Sequence, residues 1–213
     1  MSRRADYRLF WQEFRRTFHS TGAVLPSGAA LCAELARYAA AEGDRPRKLL
    51  EVGPGTGVAT DAILARMGAA DTLDLVELNE RFVALLRERL ATEPAWQVAA
   101  PRVRIHAMPI EQLAAADRYD AIVSGLPLNN FTGEVVASIL AKLQALAAPR
   151  GTISFFEYVA VRKVKSLLCR RDERRRLADV EAALAPVLAN REFHRRCIFT
   201  NIPPAWVHHL RIG

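Results

Sequence analysis

The segment that most restricts how this chain can fold is Glu51-Val-Gly-Pro-Gly-Thr-Gly57. It follows the apolar run Lys48-Leu-Leu50 and precedes a helical pattern, so a strand must turn sharply into a helix across three glycines. Glycine permits such a turn and lets a ligand approach the backbone with no Cβ in the way, while the first N–H groups of the following helix stay free. The spacing is GxGxG, not the GxGxxG of dinucleotide binders, and an acid, Glu51, heads the loop. A second acid closes the next apolar run, Leu73-Asp-Leu-Val-Glu77, where a carboxylate accepts hydrogen bonds from both hydroxyls of a ribose. Together these features fit an adenosine-bearing ligand without a pyrophosphate.

A strand–loop–helix unit needs a larger sheet around it, and the remaining pattern supplies one. A helix over Gly28–Ala41 precedes strand Lys48–Val52, helix Thr56–Met67, strand Thr72–Glu77 and helix Asn79–Leu90; then come strands Val103–His106 and Asp120–Ser124, helix Gly133–Leu146 and strand Gly151–Glu157. Past Val161 a basic helical stretch reaches about Ala189, and the strand-like runs Glu192–Asn201 and Trp206–Ile212 are joined by a Pro turn. The expected fold is α/β: a Rossmann-like, seven-stranded, mostly parallel sheet with helices on both faces and a C-terminal antiparallel hairpin, preceded by an N-terminal amphipathic helix. At 213 residues and 51% hydrophobic, the chain is long enough for one such core, expected over residues 28–213, with 1–27 as amphipathic helix and lid loop.

Several chemistries are excluded by what the chain carries. Cys32, Cys169 and Cys197 are odd in number and widely spaced, so they read as reduced buried hydrophobes. His208 and His209 are neighbours in a strand and point to opposite faces, so together they cannot chelate one ion, and no metal is expected. Charges such as Glu157 interrupt every apolar stretch before it reaches membrane-spanning length. Arg8, Glu13, Arg15 and Arg16 occupy the place of a signal-peptide core, which places the chain in the cytosol. The net charge of +7 is gathered in two places: Arg3, Arg4, Arg8, Arg15 and Arg16 near the start, and the run from Arg162 through Lys163 and Lys165 to Arg176. Cations so concentrated meet an anionic surface, nucleic acid or lipid headgroups, unless they merely solvate a helix face.

The series EVGPGTG, LVELN and SGLPLNN resembles the motifs of class I S-adenosylmethionine-dependent methyltransferases over roughly Leu49–Tyr158. The resemblance implies that Glu51, Gly53, Gly55, Thr56 and Gly57 lie under the methionine part of the cofactor and that Glu77 with Leu78 holds the ribose. It also implies that Ala107 and Met108 flank the adenine and that Ser124, closing the fourth strand, belongs to the same site. Ala107-Met108 departs from the usual Gly-Asp-Ala, so apolar contact and no acid is expected at the adenine amine. Enzymes that methylate adenine amines carry Asn-Leu-Pro-Tyr or Asp-Pro-Pro-Tyr after the fourth strand. Aligned on the proline, this chain has Gly125 for the Asn and Leu128 for the Tyr, so the groups that read a nucleobase are missing. Asn201-Ile-Pro-Pro204 is similar to a displaced copy, and reads as a hairpin turn away from the carboxyl ends of the parallel strands.

Gly22-Ala-Val-Leu-Pro-Ser-Gly28, EVGPGTG, VELN, SGLPLNNF and Phe155-Phe-Glu-Tyr158, with an aromatic basic N-terminus, resemble bacterial phospholipid N-methyltransferases over nearly the whole chain. That resemblance implies methylation of phosphatidylethanolamine to phosphatidylcholine by direct displacement, leaving S-adenosylhomocysteine. Tyr158 and the backbone of Gly125 and Leu126 are the catalytic candidates; Pro26, Ser27, Leu126, Pro127 and Tyr158 would meet the headgroup. Tyr7, Phe10, Trp11, Phe14 and Phe18 share one helical face opposite Arg8, Arg15 and Arg16, which describes a helix lying in a bilayer interface or an apolar stripe packed on the domain. Tyr7, Trp11, Arg15, Lys163 and Lys165 are accordingly the membrane candidates. The partners expected are a phospholipid headgroup and the anionic inner face of the membrane, with a cytoplasmic, peripherally bound monomer and no nucleic acid. The rivals are an RNA adenine N6-methyltransferase and an inactive membrane-binding scaffold.

Overall fold

The computed structural model describes residues 28–40, 45–114, 118–159 and 171–213. In chain order they form α1 (Ala29–Leu35), β1 (Lys48–Val52), α2 (Val58–Leu64), β2 (Thr72–Val76), α3 (Glu80–Thr92), α4 (Pro94–Ala99), β3 (Val103–His106) and β4 (Tyr119–Ser124). There follow α5 (Gly133–Leu146), β5 (Ala147–Tyr158), α6 (Arg171–Arg191), β6 (Glu192–Ile198) and β7 (Ala205–Arg211). The seven strands make one sheet in the order β3-β2-β1-β4-β5-β7-β6. Strands β1 to β5 pair in parallel, and β7 runs antiparallel to both β5 and β6. This is a Rossmann-like fold, and the expected α/β architecture with its C-terminal hairpin is what the chain adopts.

The inner strands β1, β4 and β5 read as near-continuous apolar runs because both of their faces are covered. Successive residues point to opposite sides. Leu50, Val52, Ile122, Ile153 and Phe155 pack under α5 and α6, against Val136, Ile139, Leu143, Val180 and Leu184. Their neighbours Leu49, Ala121, Val123 and Phe156 pack under Leu31 and Leu35 of α1, Ile63 of α2, Leu86 of α3 and Trp96 of α4.

The boundaries move for local reasons. Helix α2 begins at Val58 rather than Thr56 because Gly57, its N-cap, is left-handed at φ 87°. Asn79 caps α3 by accepting from Arg81 N (3.0 Å), and Pro94 starts the short α4, which no periodic pattern announced. Strand β5 starts four positions early, at Ala147, where its pairing with β4 shifts register between Tyr119 and Ala121.

One expectation is overturned. The turn Asn201-Ile-Pro-Pro204 does not lie away from the carboxyl ends of the parallel strands. Because β7 is antiparallel, its first residue, Ala205, pairs with Tyr158, the last of β5. The turn therefore stands at the same edge as the glycine loop, tied there by Val159 N donating to the Pro204 carbonyl (2.7 Å).

A buried ion pair closes the opposite edge. Arg47 Nη2 donates to Asp71 Oδ2 (2.9 Å) and to the Ala39 carbonyl (2.6 Å), and Asp71 also accepts from the backbone N–H groups of Arg47 (2.9 Å) and Gly68 (2.8 Å). Burial raises the Asp71 pKa, but these donors outweigh it and hold the carboxyl below its ordinary value. A depressed native pKa stabilises the fold above the unfolded value and loses that contribution as pH falls through the native one. Asp71→Ala leaves Arg47 buried without its partner and is expected to lower the unfolding free energy by about 3–5 kcal/mol, read as a fall in the urea midpoint. A loss under about 1 kcal/mol would remove this pair from the stability of the fold.

Candidate active site

Three loops meet at the carboxyl edge, between β1 and β4. Gly53 N donates to the Val76 carbonyl (2.9 Å) and Gly125 N to the Val52 carbonyl (2.8 Å), so the loops after β1, β2 and β4 are joined through main chain. A Cβ on Gly125 would stand 2.6 Å from the Gly53 carbonyl oxygen, and one on Gly53 2.6 Å from Leu126 Cδ2. No side chain fits between them. Gly55 is left-handed at φ 57° with nothing within 4 Å of its Cβ position, so its backbone faces open space. Gly57 is different: a Cβ there would meet the Trp96 ring at 2.8 Å, so packing against α4 explains that glycine without a ligand.

The open space above Gly55 is a mostly apolar cleft walled by Val52, Gly53, Val76, Glu77, Leu78, Asn79, Phe82, Met108, Pro109, Ile110, Gly125, Leu126 and Pro127. Among these, Glu77 alone ionises. Its Oε2 accepts from Gly55 N (3.1 Å) and its Oε1 from Asn79 N (2.8 Å), so one carboxylate holds the glycine loop and the start of α3 together. Burial pushes its pKa up.

Glu51 lies behind the loop rather than in the cleft. It is fully buried; Thr60 Oγ1 donates to its Oε2 (2.6 Å), and its Oε1 has no hydrogen-bond partner among the described residues. Burial is the main cause that lifts its pKa to about 8; the Thr60 hydrogen bond opposes the rise, and the charges of Glu77 and Asp61 add to it.

The other sequence candidates distribute unevenly. Leu78, Met108, Gly125, Leu126 and Pro127 line the cleft with Gly53, Gly55 and Glu77. Ala107 is exposed and outside the lining, whereas Met108, Pro109 and Ile110 wall the cleft. Ser124 is fully buried beneath its loop. Thr56 is exposed, and its carbonyl accepts from Arg89 Nη1 (2.9 Å). Arg89 also donates to Asp61 (2.8 Å) and Glu93 (2.7 Å), and Trp96 Nε1 donates to Asp61 (2.7 Å), so α2, α3 and α4 are clamped beneath the loop. Phe82, Thr60 and Arg89 escaped the sequence reading. The one available signal was Phe82, an aromatic on α3 beside the buried positions Val83 and Leu86.

Tyr158 does not line the cleft. Its ring packs edge-on against Phe156 (5.1 Å) on the α1 face, and its carbonyl accepts from Asn129 Nδ2 (3.4 Å). Burial raises its pKa, with a smaller contribution from Cys32. Asn129 is held in turn: Arg176 Nη1 donates to its carbonyl (2.6 Å) and to that of Phe131 (3.5 Å). One arginine of the basic stretch thus faces inward and braces the loop after β4. Tyr7, Trp11, Arg15, Pro26, Ser27, Lys163 and Lys165 lie outside the described residues.

Residues 49–151 match the methyltransferase domain family. The chain is 28% identical over 149 residues to an ornithine lipid N-methyltransferase from Singulisphaera acidiphila, covering 70% of this chain and 76% of that protein. It is 32% identical over 102 residues to the ribosomal RNA small subunit methyltransferase A of a Synechococcus strain, covering 47% of this chain and only 35% of that one. Among solved structures it resembles an O-methyltransferase from Bacillus cereus in complex with SAH (TM-score 0.64, 12% identity, 95% of this chain and 90% of that one). It also resembles TomG of Streptomyces achromogenes in complex with SAM (TM-score 0.59, 15% identity, 87% of this chain and 79% of that one).

The residues present fit S-adenosylmethionine, the cofactor that the motif resemblance implies. Gly55 leaves open space, Glu77 presents a carboxylate on the wall, and Glu51 holds a buried oxygen with no described partner, so acids and no described cation surround a ligand that carries positive charge. A cation nearby favours the ionised carboxylate, so binding below about pH 8 drives the proton off Glu51 and affinity rises with pH up to that value. Calorimetry at pH 7 in buffers of different ionisation enthalpy is expected to show proton release on binding. Glu51→Gln should abolish the release and weaken binding about tenfold, ~1.4 kcal/mol. No proton release by the wild type would sink this role for Glu51.

Proposed function

We propose that this chain, an S-adenosylmethionine-dependent methyltransferase, methylates the headgroup amine of a membrane lipid: phosphatidylethanolamine and then its mono- and dimethyl derivatives, yielding phosphatidylcholine. The observation that carries the reading is the loop after β4. Gly125 offers no side chain, Leu128 is buried in the core at 1% exposure, and the wall it leaves is Leu126 and Pro127. Among the described residues of that loop none grips the edge of a nucleobase or stacks on its face. The similarity to an ornithine lipid N-methyltransferase, along three-quarters of that protein, supports a lipid amine. It also favours a second acceptor of the same class, the amine of an ornithine headgroup.

Bound S-adenosylmethionine supplies the electrophilic methyl group, displaced in line by the amine nitrogen. The protein's share is position and removal of water. A primary alkylamine resembles lysine, with a pKa of about 10.4, and arrives protonated. Leu126 and Pro127 give it a dry wall, which favours the neutral, nucleophilic form. Main-chain carbonyls at Gly125 and Leu126 orient its N–H groups. Burial raises the Tyr158 pKa, so its hydroxyl stays protonated and is no phenolate base, and its ring packs on Phe156 away from the cleft; the ammonium proton leaves to water as the amine enters the dry wall.

The test uses methyl-labelled S-adenosylmethionine with vesicles of phosphatidylethanolamine, of ornithine lipid, or with ribosomal RNA. Label is expected in mono-, di- and trimethylated phosphatidylethanolamine; label in RNA alone would overturn the proposal. Tyr158→Phe is expected to leave kcat and cofactor affinity within about twofold of wild type, and a tenfold fall in kcat would return the hydroxyl to the mechanism.

A further inference from the structure

The β6–β7 turn carries two large apolar side chains in water, Phe199 at 77% and Ile202 at 75% exposure. Exposed bulk of this kind at a rim calls for a partner surface. Between them Asn201 is buried and fixed at both ends, accepting from Gly28 N (2.9 Å) and donating to the Pro203 carbonyl (2.7 Å). The turn is therefore a rigid tip. It is joined through Pro204 and Val159 to the end of β5, and through Tyr158 and Asn129 to the loop after β4.

Behind the tip, on the α1 face, lies an open cavity of ≈ 590 Å³ walled by Phe199 and Thr200 and by Arg37, Arg66 and Arg196. Glu34 is its one acid, and takes Arg37 Nε (2.7 Å) and Arg196 Nη1 (3.2 Å). Three guanidiniums against one carboxylate leave the cavity positive, and Arg37 and Arg196 keep 42% and 58% of their side chains exposed. An apolar tip with arginines set back from it matches, layer by layer, acyl chains lying beneath anionic phosphates.

We propose that the β6–β7 turn is a membrane wedge: Phe199 and Ile202 enter the bilayer interface, and the Arg37–Arg66–Arg196 cavity receives a lipid phosphate at the headgroup level. This turns the carboxyl edge of the sheet, with its cleft, toward the lipid. The inference deepens the lipid reading above and takes its partner from it, but its test reads binding and not turnover.

The full chain is sedimented with vesicles of phosphatidylethanolamine and phosphatidylglycerol, and separately of phosphatidylcholine. Phe199→Ser with Ile202→Ser is expected to weaken partition to the anionic vesicles at least tenfold while leaving S-adenosylmethionine affinity unchanged, which reports an intact fold. Ile202→Ser alone repeats the comparison with a smaller change and an expected loss of about threefold. Arg66→Gln is expected to weaken binding to anionic vesicles and leave the neutral ones unaffected. Double-variant binding equal to wild type, or no vesicle binding by the wild type, overturns the wedge; salt-dependent binding of ribosomal RNA without vesicle binding would reassign the arginines to nucleic acid and overturn it equally. Failure of the wild type to methylate short-chain, monomeric phosphatidylethanolamine would instead defeat the functional reading and leave the vesicle result standing.

Discussion

Everything at the carboxyl edge depends on two stretches of backbone touching, at Gly53 and Gly125. The sheet order reverses between β1 and β4, and such a switch point leaves a crevice where the following loops diverge. Here the crevice is narrowed until a methyl group on either glycine would collide with the other loop. The contact brings the glycine loop and the loop after β4 to one point, as a one-step transfer between two bound molecules would require. The main-chain bonds from Gly53 to Val76 and from Gly125 to Val52 make that approach part of the sheet itself.

Charge is segregated around this point. Glu51 and Glu77 stand behind and beside the glycine loop, and no described cation lines the cleft. The arginines that come near do so as braces: Arg89 under the loop through the Thr56 carbonyl, Arg176 behind the loop after β4 through Asn129. Each spends its donors on protein oxygens and leaves the ligand's surroundings acidic. A sulfonium ligand is matched by that field, whereas a free phosphate in the same cleft would be opposed by it.

The inner strands were legible because they are buried on both faces, and the glycine loop because a left-handed backbone admits few other residues. Glu77 stood out as an acid closing a strand, whereas Met108 was named only through the family resemblance. What the chain hid was whatever depends on pairing between distant segments. The location of Asn201–Pro204 is decided by β7 pairing antiparallel with β5, which no local pattern around Asn201 encodes. Thr60 and Arg89 act through partners nine and thirty-three residues away, and look like ordinary helix surface in isolation. Glu51 was legible as an acid at the loop, but its place behind the loop is held by Thr60 nine residues on, and its raised pKa comes from burial against the pull of that hydrogen bond.

On the lipid reading, the apolar wall at Leu126 and Pro127 also sets the direction of the reaction. A primary amine sheds its charge by losing a proton, and so enters a dry site at modest cost. Each methyl removes one N–H that a main-chain carbonyl holds, and the final product carries a charge that no proton loss can remove. Burying such a cation without a partner is expensive, so the wall that favours the substrate rejects the finished headgroup. Product release then needs no moving part, only the difference between an amine that can be neutral and a quaternary nitrogen that cannot.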